Sequence, residues 1–153
     1  MSALAKTTDG NPKGIALDDP GLFKGFAYVG NRWTAAQSGA AIAVTDPADG
    51  AVIGEVACLS PQESAGAIDA AHEAFARWAT ALPQHRSQLL RRWYELIVGA
   101  REDLARIMTI EQGKPISEAR GESDYAASCV EFYAEEAKRP NIEGVTSHLP
   151  DAE

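Results

Sequence analysis

The sequence predicts a chain of mixed class, two small β-hairpins followed by three amphipathic helices. Three observations carry that prediction. Two pairs of short β-prone runs fold back around turn residues before position 58, the apolar period lengthens from two to about 3.6 residues after Ser60, and Pro or Gly stands wherever the helical period breaks.

Residues 1–25 mix Thr, Gly, Pro and Asp without periodicity and read as a flexible leader. In "FAYVGNRWTAA" (26–36) two β-prone runs flank Gly30-Asn31, both tolerant of the positive φ that a two-residue hairpin turn demands. In "AIAVTDPADGAVIGEVAC" (41–58) the runs 41–44 and 51–57 flank Asp46-Pro47-Ala48-Asp49-Gly50, where Pro fixes φ and Gly supplies a left-handed residue. Ser60-Pro61-Gln62-Glu63 is a capping box with proline at the first helical position, and Ile68, Ala71, Phe75, Trp78 and Ala79 follow at helical spacing to near Thr80. Pro83 opens a second helix striped by Leu89, Leu90, Trp93, Leu96 and Ile97. After a loosening at Gly99 the stripe resumes with Leu104, Ile107 and Met108 as far as Glu111. Gly113 ends that helix and Pro115 restarts a third over 116–138, with Ile116, Ala119, Ser123, Ala126, Val130, Tyr133 and Ala137 on one face. Pro140 stops it, and 140–153 reads as an extended segment. Two small hairpins are too little sheet to cover three apolar stripes.

A length of 153 residues with 45% apolar content allows one modest core. Fourteen Lys and Arg against 22 Asp and Glu give a formal charge of -8, which repels phosphate backbones and anionic lipid, so neither nucleic acid nor membrane is an expected partner. The basic pairs Arg91-Arg92 and Lys138-Arg139 fall on helices and read as solvated or ion-paired surface. Cys58 and Cys129 stand in different elements and fit reduced thiols. The leader has no apolar signal core and carries Asp9, Asp18 and Asp19 but no Arg, which leaves the cytoplasm as the expected location.

Gly113-Lys114 resembles half of a phosphate loop, but the earlier glycine such a loop needs is Met108 and the Ser or Thr after the lysine is Pro115. The pair therefore reads as punctuation between helices. A di-metal bundle would need Glu-x-x-His pairs, and Glu118, Glu131 and Glu135 have no His three residues on. Asp69 with His72 is the nearest approach and reads as a surface contact, while His85 and His148 have no neighbouring ligand types. Cys129 is mid-helix among Ala and aromatic residues, far from the helix N-terminus or cations that activate a thiol, and reads as a small core residue, as does Cys58 at a strand end. Phe75, Trp78, Trp93, Phe132 and Tyr133 lie on or beside the stripes and are expected in the core. No catalytic residue and no cofactor-binding residue is identified.

The segments "YVGNRW", "VTDPADGAVIGEVA", "AIDAAHEAFARW", "RSQLLRRWYELI", "LARIMTIEQGKPISEARGE" and "YAASCVEFYAEEAKR" resemble, in order and spacing, the N-terminal part of the aldehyde dehydrogenase superfamily. "MTIEQGKP", "YAASCVEFYAEEAKR" and "SHLPD" are most similar to its succinate-semialdehyde dehydrogenase group. The resemblance implies an α/β fold in which residues 26–139 are an incomplete part of the dinucleotide-binding domain and 140–153 a truncated start of the oligomerisation arm. Pro140-Asn141-Ile142 departs from the family pattern, in which the helix exits through an aromatic residue and a glycine.

The resemblance also implies what the intact enzyme does. It oxidises a small acidic semialdehyde with NAD or NADP, through thiolate attack, hydride transfer and thioester hydrolysis. The nucleophilic cysteine, the general base and the cofactor strands of such enzymes lie beyond Glu153, so the chain alone is expected to bind no cofactor and to be inactive. Its expected partners are a homo-oligomer or a full-length homologue. In some relatives the residue before the interhelix loop and a carbonyl ahead of the Asp-Pro turn bind a structural monovalent cation, which here implies the Glu111 carboxylate and the Val44 carbonyl. The alternative to an enzyme fragment is a non-catalytic helical interaction module that docks through its exposed stripes.

Overall fold

The computed structural model describes residues 15–139. His148, the stop at Pro140 and the arm over 140–153 lie outside the described residues.

The first hairpin pairs β1 (Ala27–Val29) with β2 (Arg32–Thr34), Tyr28 opposite Trp33. Gly30 at φ 55° and Asn31 at φ 63° are both left-handed, the turn that matches the twist of two adjoining strands. The second pairs β3 (Ala41–Thr45) with β4 (Val52–Ala57). Its turn is held by Asp46, whose side chain accepts the Ala48 N–H and whose carbonyl accepts the Gly50 N–H, both at 2.8 Å. The register slips between Val44, opposite Gly54, and Thr45, opposite Val52, so Ile53 is the extra residue of a bulge and is buried.

α1 (Pro61–Ala79) begins with the expected capping box: the Glu63 N–H donates to Ser60 Oγ at 3.2 Å and the Ser60 N–H to Glu63 Oε2 at 2.7 Å. Glu63 also accepts the Gln37 N–H at 2.7 Å, which ties the loop between the hairpins to the helix. These backbone donors, Gln37 first and Ser60 next, hold the Glu63 carboxyl below its ordinary pKa.

The single helix expected from Pro83 to Glu111 is two, α2 (Pro83–Gly99) and α3 (Arg101–Gln112). At the break Ala100 sits at φ −96°, ψ 9°, its N–H shared between the Leu96 and Ile97 carbonyls at 3.0 and 3.2 Å. Gly99 is a poor helix former, and Glu102 with Asp103 directly after it are the acidic residues that a new helix N-terminus favours. α4 (Ile116–Glu136) follows Pro115.

α2 and α3 both pack on α4. The face that α4 buries is made of small residues, Ala119, Ser123, Ala127 and Ala134. The expected stripe is thus right at Ala119 and Ser123 and wrong at Ala126 and Tyr133, which are exposed. Small side chains let the helix backbones approach, and Ala119, Ala134 and Ala105 of α3 are fully enclosed as a result. Arginines staple the rim of this seam: Arg91 donates to Glu131 and Glu135, each at 2.7 Å, Arg101 to Asp124 at 2.6 and 2.8 Å, and Arg120 to Glu102 at 2.8 Å.

The aromatic set expected in the core lies outside it. Phe75, Trp78, Trp93, Phe132 and Tyr133 are between 40% and 62% exposed: α2, α3 and α4 meet through small side chains, and α1, which carries Phe75 and Trp78, buries none of its residues. Cys129 is half-buried, not a core residue.

The leader was expected to be flexible through residue 25, but residues 15–25 are docked. Ile15 and Phe23 are buried, and Asp103 accepts the backbone N–H groups of Asp18 at 2.9 Å and Asp19 at 2.8 Å. Asp19 in turn caps a short 3₁₀ turn, Pro20–Leu22. Absent periodicity in such a segment reflects anchoring by a few long-range bonds, which a local pattern does not reveal.

Candidate functional site

The interhelix loop turns on Gly113. At φ 73°, ψ 11° it is the left-handed cap of α3, donating its N–H to the Thr109 carbonyl at 2.8 Å. A Cβ at this position would stand 2.8 Å from Pro47 Cγ, so the glycine is required both by the cap and by the close approach of the β3–β4 turn. Lys114 is largely covered and ion-pairs with Glu122 of α4. An anion approaching this loop meets a glycine amide already committed to a carbonyl, a proline without N–H and a lysine held by a carboxylate. The geometry fits punctuation between helices and does not fit a phosphate cradle.

Glu111 stands two residues before Gly113, and Val44 three before Pro47, so the Pro47–Gly113 approach brings the segments carrying both to one end of the molecule. Partial burial of the Glu111 carboxyl raises its pKa above the ordinary value, although the residue keeps an exposed face. Among the described residues no hydrogen bond or ion pair reaches its carboxylate. Val44 is half-buried and stands where the β3–β4 ladder slips.

The other candidates gather into no site. Among the described residues no group of three or more His, Cys, Asp or Glu could hold a metal ion. Asp69, His72 and His85 are exposed. Cys129 lies thirteen residues into α4, away from the helix N-terminus, and Cys58 donates its backbone N–H to the Ala40 carbonyl at 2.9 Å. The basic pairs are ion-paired: beyond Arg91, Arg92 meets Glu95 at 3.3 Å, Lys138 meets Glu135 at 2.7 Å and Arg139 meets Glu136 at 2.9 Å. No helix among the described residues is long and apolar enough to cross a membrane.

Sequence reasoning passed over Asp103, which is only 4% exposed. The backbone N–H groups of Asp19 and Asp18, which donate to it, hold its carboxyl below the ordinary pKa, and Arg106 adds to them. The available signal was an acidic residue in the first turn after the Gly99 break.

Two hairpins lead into a helical layer whose large apolar side chains are uncovered, an arrangement that its structural neighbours make consistent with part of an α/β dinucleotide-binding domain. The sequence says which. Residues 33–152 match the aldehyde dehydrogenase family model, and the chain belongs to that family. It is 47% identical over 137 residues to the glutarate-semialdehyde dehydrogenase of Pseudomonas putida and 42% identical over 137 residues to the NADP(+) succinate-semialdehyde dehydrogenase of Escherichia coli. Each alignment covers 90% of this chain and 28% of the relative. The crystal structure of succinate-semialdehyde dehydrogenase from Burkholderia pseudomallei superposes with a TM-score of 0.80 at 45% identity, again over 90% of this chain and 28% of that one. The chain thus spans a little over a quarter of the length of these relatives.

Proposed function

We propose that this chain is the N-terminal portion of an NAD(P)-dependent aldehyde dehydrogenase that oxidises a small acidic semialdehyde, with succinate semialdehyde the first substrate to test. The observation that supports this is identity of 42% to 47% to semialdehyde dehydrogenases across nearly the whole chain. In that enzyme the nicotinamide accepts a hydride, and no catalytic step is assigned to the described residues. What residues 15–139 contribute is scaffold: the hairpins and the α2–α3–α4 layer against which the rest of the domain would stand. The cytoplasm is the proposed location.

The Glu111 carboxylate and the Val44 carbonyl are proposed as two ligands of a structural monovalent cation, the remainder coming from outside this chain. Hard oxygen donors suit such an ion, and an unpaired, partly buried carboxyl suits a cation neighbour.

A graft tests the main proposal. Residues 26–139 replace the matching segment of the Escherichia coli relative, and reduction of NAD and NADP is followed with succinate and glutarate semialdehydes. An active chimera supports the assignment; a folded chimera that assembles like the parent yet oxidises neither aldehyde refutes it. The unfused chain of 153 residues should reduce neither cofactor, and turnover abolished by Cys129→Ala would overturn the reading altogether.

A second reading, a non-catalytic module that docks onto a full-length homologue, is favoured by one observation: α1 buries none of its residues and exposes Ile68, Phe75 and Trp78. The gene sequence after codon 153 separates the two readings. A continuation encoding the cofactor domain supports the first, and an isolated gene with its own terminator supports the second.

A further inference from the structure

Beyond the approach of Pro47 to Gly113, three kinds of contact from residues 15–25 join the second hairpin to the helical layer. On the helix side, Asp103 of α3 accepts two adjacent backbone N–H groups, those of Asp18 and Asp19, and Arg106 one turn later donates to the Ala16 carbonyl at 2.8 Å. On the sheet side, the Gly25 carbonyl accepts the Ala57 N–H at 2.7 Å, which extends the edge of β4 by one bond. Between these ends Phe23 lies buried against Gly54; a Cβ on Gly54 would stand 2.8 Å from the ring.

We propose that residues 15–25 are a strap that fixes the second hairpin against α3, and that Asp103 is the positioning residue that latches it. The chemistry of the latch explains its residue type. Two N–H donors from consecutive peptide groups converge on the two oxygens of one carboxylate, an arrangement that needs a doubly accepting side chain and leaves no room for a donor. Arg106 completes it, 3.3 Å from the same carboxylate, so the anion is balanced by a cation that also grips the strap. The strap has a second consequence. Ile15 and Ala16 line an open groove of about 510 Å³ together with Asp46 and Ala48 of the hairpin turn, Arg106 and Thr109 of α3 and its cap Gly113. Releasing the latch removes one side of that groove and loosens the turn that Pro47 seats on Gly113.

The charged groups facing Asp103 come from both elements. On the strap side Asp18 lies 4.0 Å from Arg106, and Asp19 is turned to its own cap at Gly21. On the helix side Glu102 is engaged by Arg101 and Arg120 and does not compete.

Amide hydrogen exchange on the full chain reads the latch directly. Asp103→Ala should cost the Asp18 and Asp19 amides on the order of tenfold or more in protection, as loss of a bond to a charged acceptor does, and the Ala57 amide should follow. The amides of α2 and α4 serve as the internal reference for folding and should keep their protection. Asp103→Asn should come close to Asp103→Ala, since its NH₂ would face an incoming donor; Arg106→Ala should act more weakly in the same places. Trypsin cleavage after Lys24 should accelerate in parallel. Unchanged protection at Asp18 and Asp19 in Asp103→Ala would overturn the proposal. So would a loss spread evenly over α2 and α4, or Asp103→Asn behaving as the native chain. Gly54→Ala, which displaces Phe23 with the carboxylate intact, gives an independent arm: it should expose the Ala57 amide, and protection retained there would remove the sheet-side half of the strap.

Discussion

α1 and α4 are helices of nearly equal length, 19 and 21 residues, and both mix alanines with aromatic side chains, yet one is packed and the other is not. α4 lays four small residues into a seam shared with α2 and α3 and is stapled there by Arg91 and Arg101. α1 buries nothing, and its longest-range tie is the bond from Gln37 to Glu63 at its first turn. Both sequences place alanines and aromatic side chains at helical spacing. What separates them is a partner surface: α4 meets two helices that offer small residues in the middle and opposite charges at the rim, whereas the described residues offer α1 no such face. A hydrophobic stripe therefore identifies a helix and the side that wants cover, and leaves open whether the cover is in this chain.

The largest expected difference between the two helices is in their tolerance of bulk. Ala134→Leu forces three extra heavy atoms into a fully enclosed position and should destabilise the chain by about 1–3 kcal/mol. Ala76→Leu, the same change on exposed α1, should stay within about 0.5 kcal/mol. Urea unfolding followed by far-ultraviolet circular dichroism measures both. Equal effects would mean that α1 is packed in solution and that the comparison fails.

Next in size is the cap. Ser60→Ala removes one half of the capping box and should cost about 1 kcal/mol of local helix stability. With the Gln37–Glu63 bond its main tie among the described residues, α1 should fray from its N-terminus while α2 and α4 keep their exchange protection. Uniform loss of protection would show that α1 unfolds with the rest as one unit.

Much of the fold was legible in the sequence because the punctuation is local. Gly30-Asn31, the Asp46-to-Gly50 cluster, Ser60 with Glu63, and Gly113 with Pro115 each act through their own backbone or that of residues within four positions, and the turns of both hairpins, the start of α1, the end of α3 and the start of α4 fall beside them. The parts that were not legible are those decided across long separations. Asp103 meets Asp18 and Asp19 from 85 and 84 residues away, and no local pattern at either end announces it. The break at Gly99 was visible only as a loosening, because a poor helix former bends or ends a helix according to what Asp103 is recruited to do. The core was misjudged for a related reason: large apolar residues were assigned inside on transfer energy, while the helices chose alanines as their contact. For the candidate site, the glycine and proline of the interhelix loop were legible as structure, and the seating of Pro47 on Gly113 that brings the hairpin turn to it was not.

The ion-pair rim should matter less than the seam beneath it. Arg91→Met removes both bridges to α4 but leaves the apolar stem, and its side chain and both partners are about two-fifths or more exposed. The expected loss is smaller than that of Ala134→Leu and shrinks as salt is raised. A loss larger than that of Ala134→Leu would reverse the order in which charge and packing hold the α2–α4 contact.

The smallest effect is the most informative about the candidate site, because its sign is set by pH. Asp103 and Glu111 are both carboxylates on α3 and shift in opposite directions, Asp103 downward through the Asp19 and Asp18 amides and Glu111 upward through burial. For Asp103 the folded value lies below the unfolded one, so its contribution is present above the unfolded pKa and is lost as pH falls through the folded value. For Glu111 the folded value lies above the unfolded one, so its contribution is full below the unfolded pKa and is lost as pH rises through the folded value. Ionised Glu111 then slightly opposes folding at neutral pH. Glu111→Gln should accordingly leave stability unchanged in acid, where the carboxyl is protonated in both states, and raise it at neutral pH by no more than about 0.5 kcal/mol in a buffer of bulky organic cations. Potassium or sodium changes the expectation for the native residue alone. An ion held by the Glu111 carboxylate and the Val44 carbonyl stabilises the folded state by mass action, so the native chain should gain on Glu111→Gln as either salt is added, beyond the common effect of ionic strength. Parallel salt curves for the two chains would remove Glu111 from the cation site, and a neutral-pH loss in Glu111→Gln without added ions would show that the carboxylate has a protein partner instead.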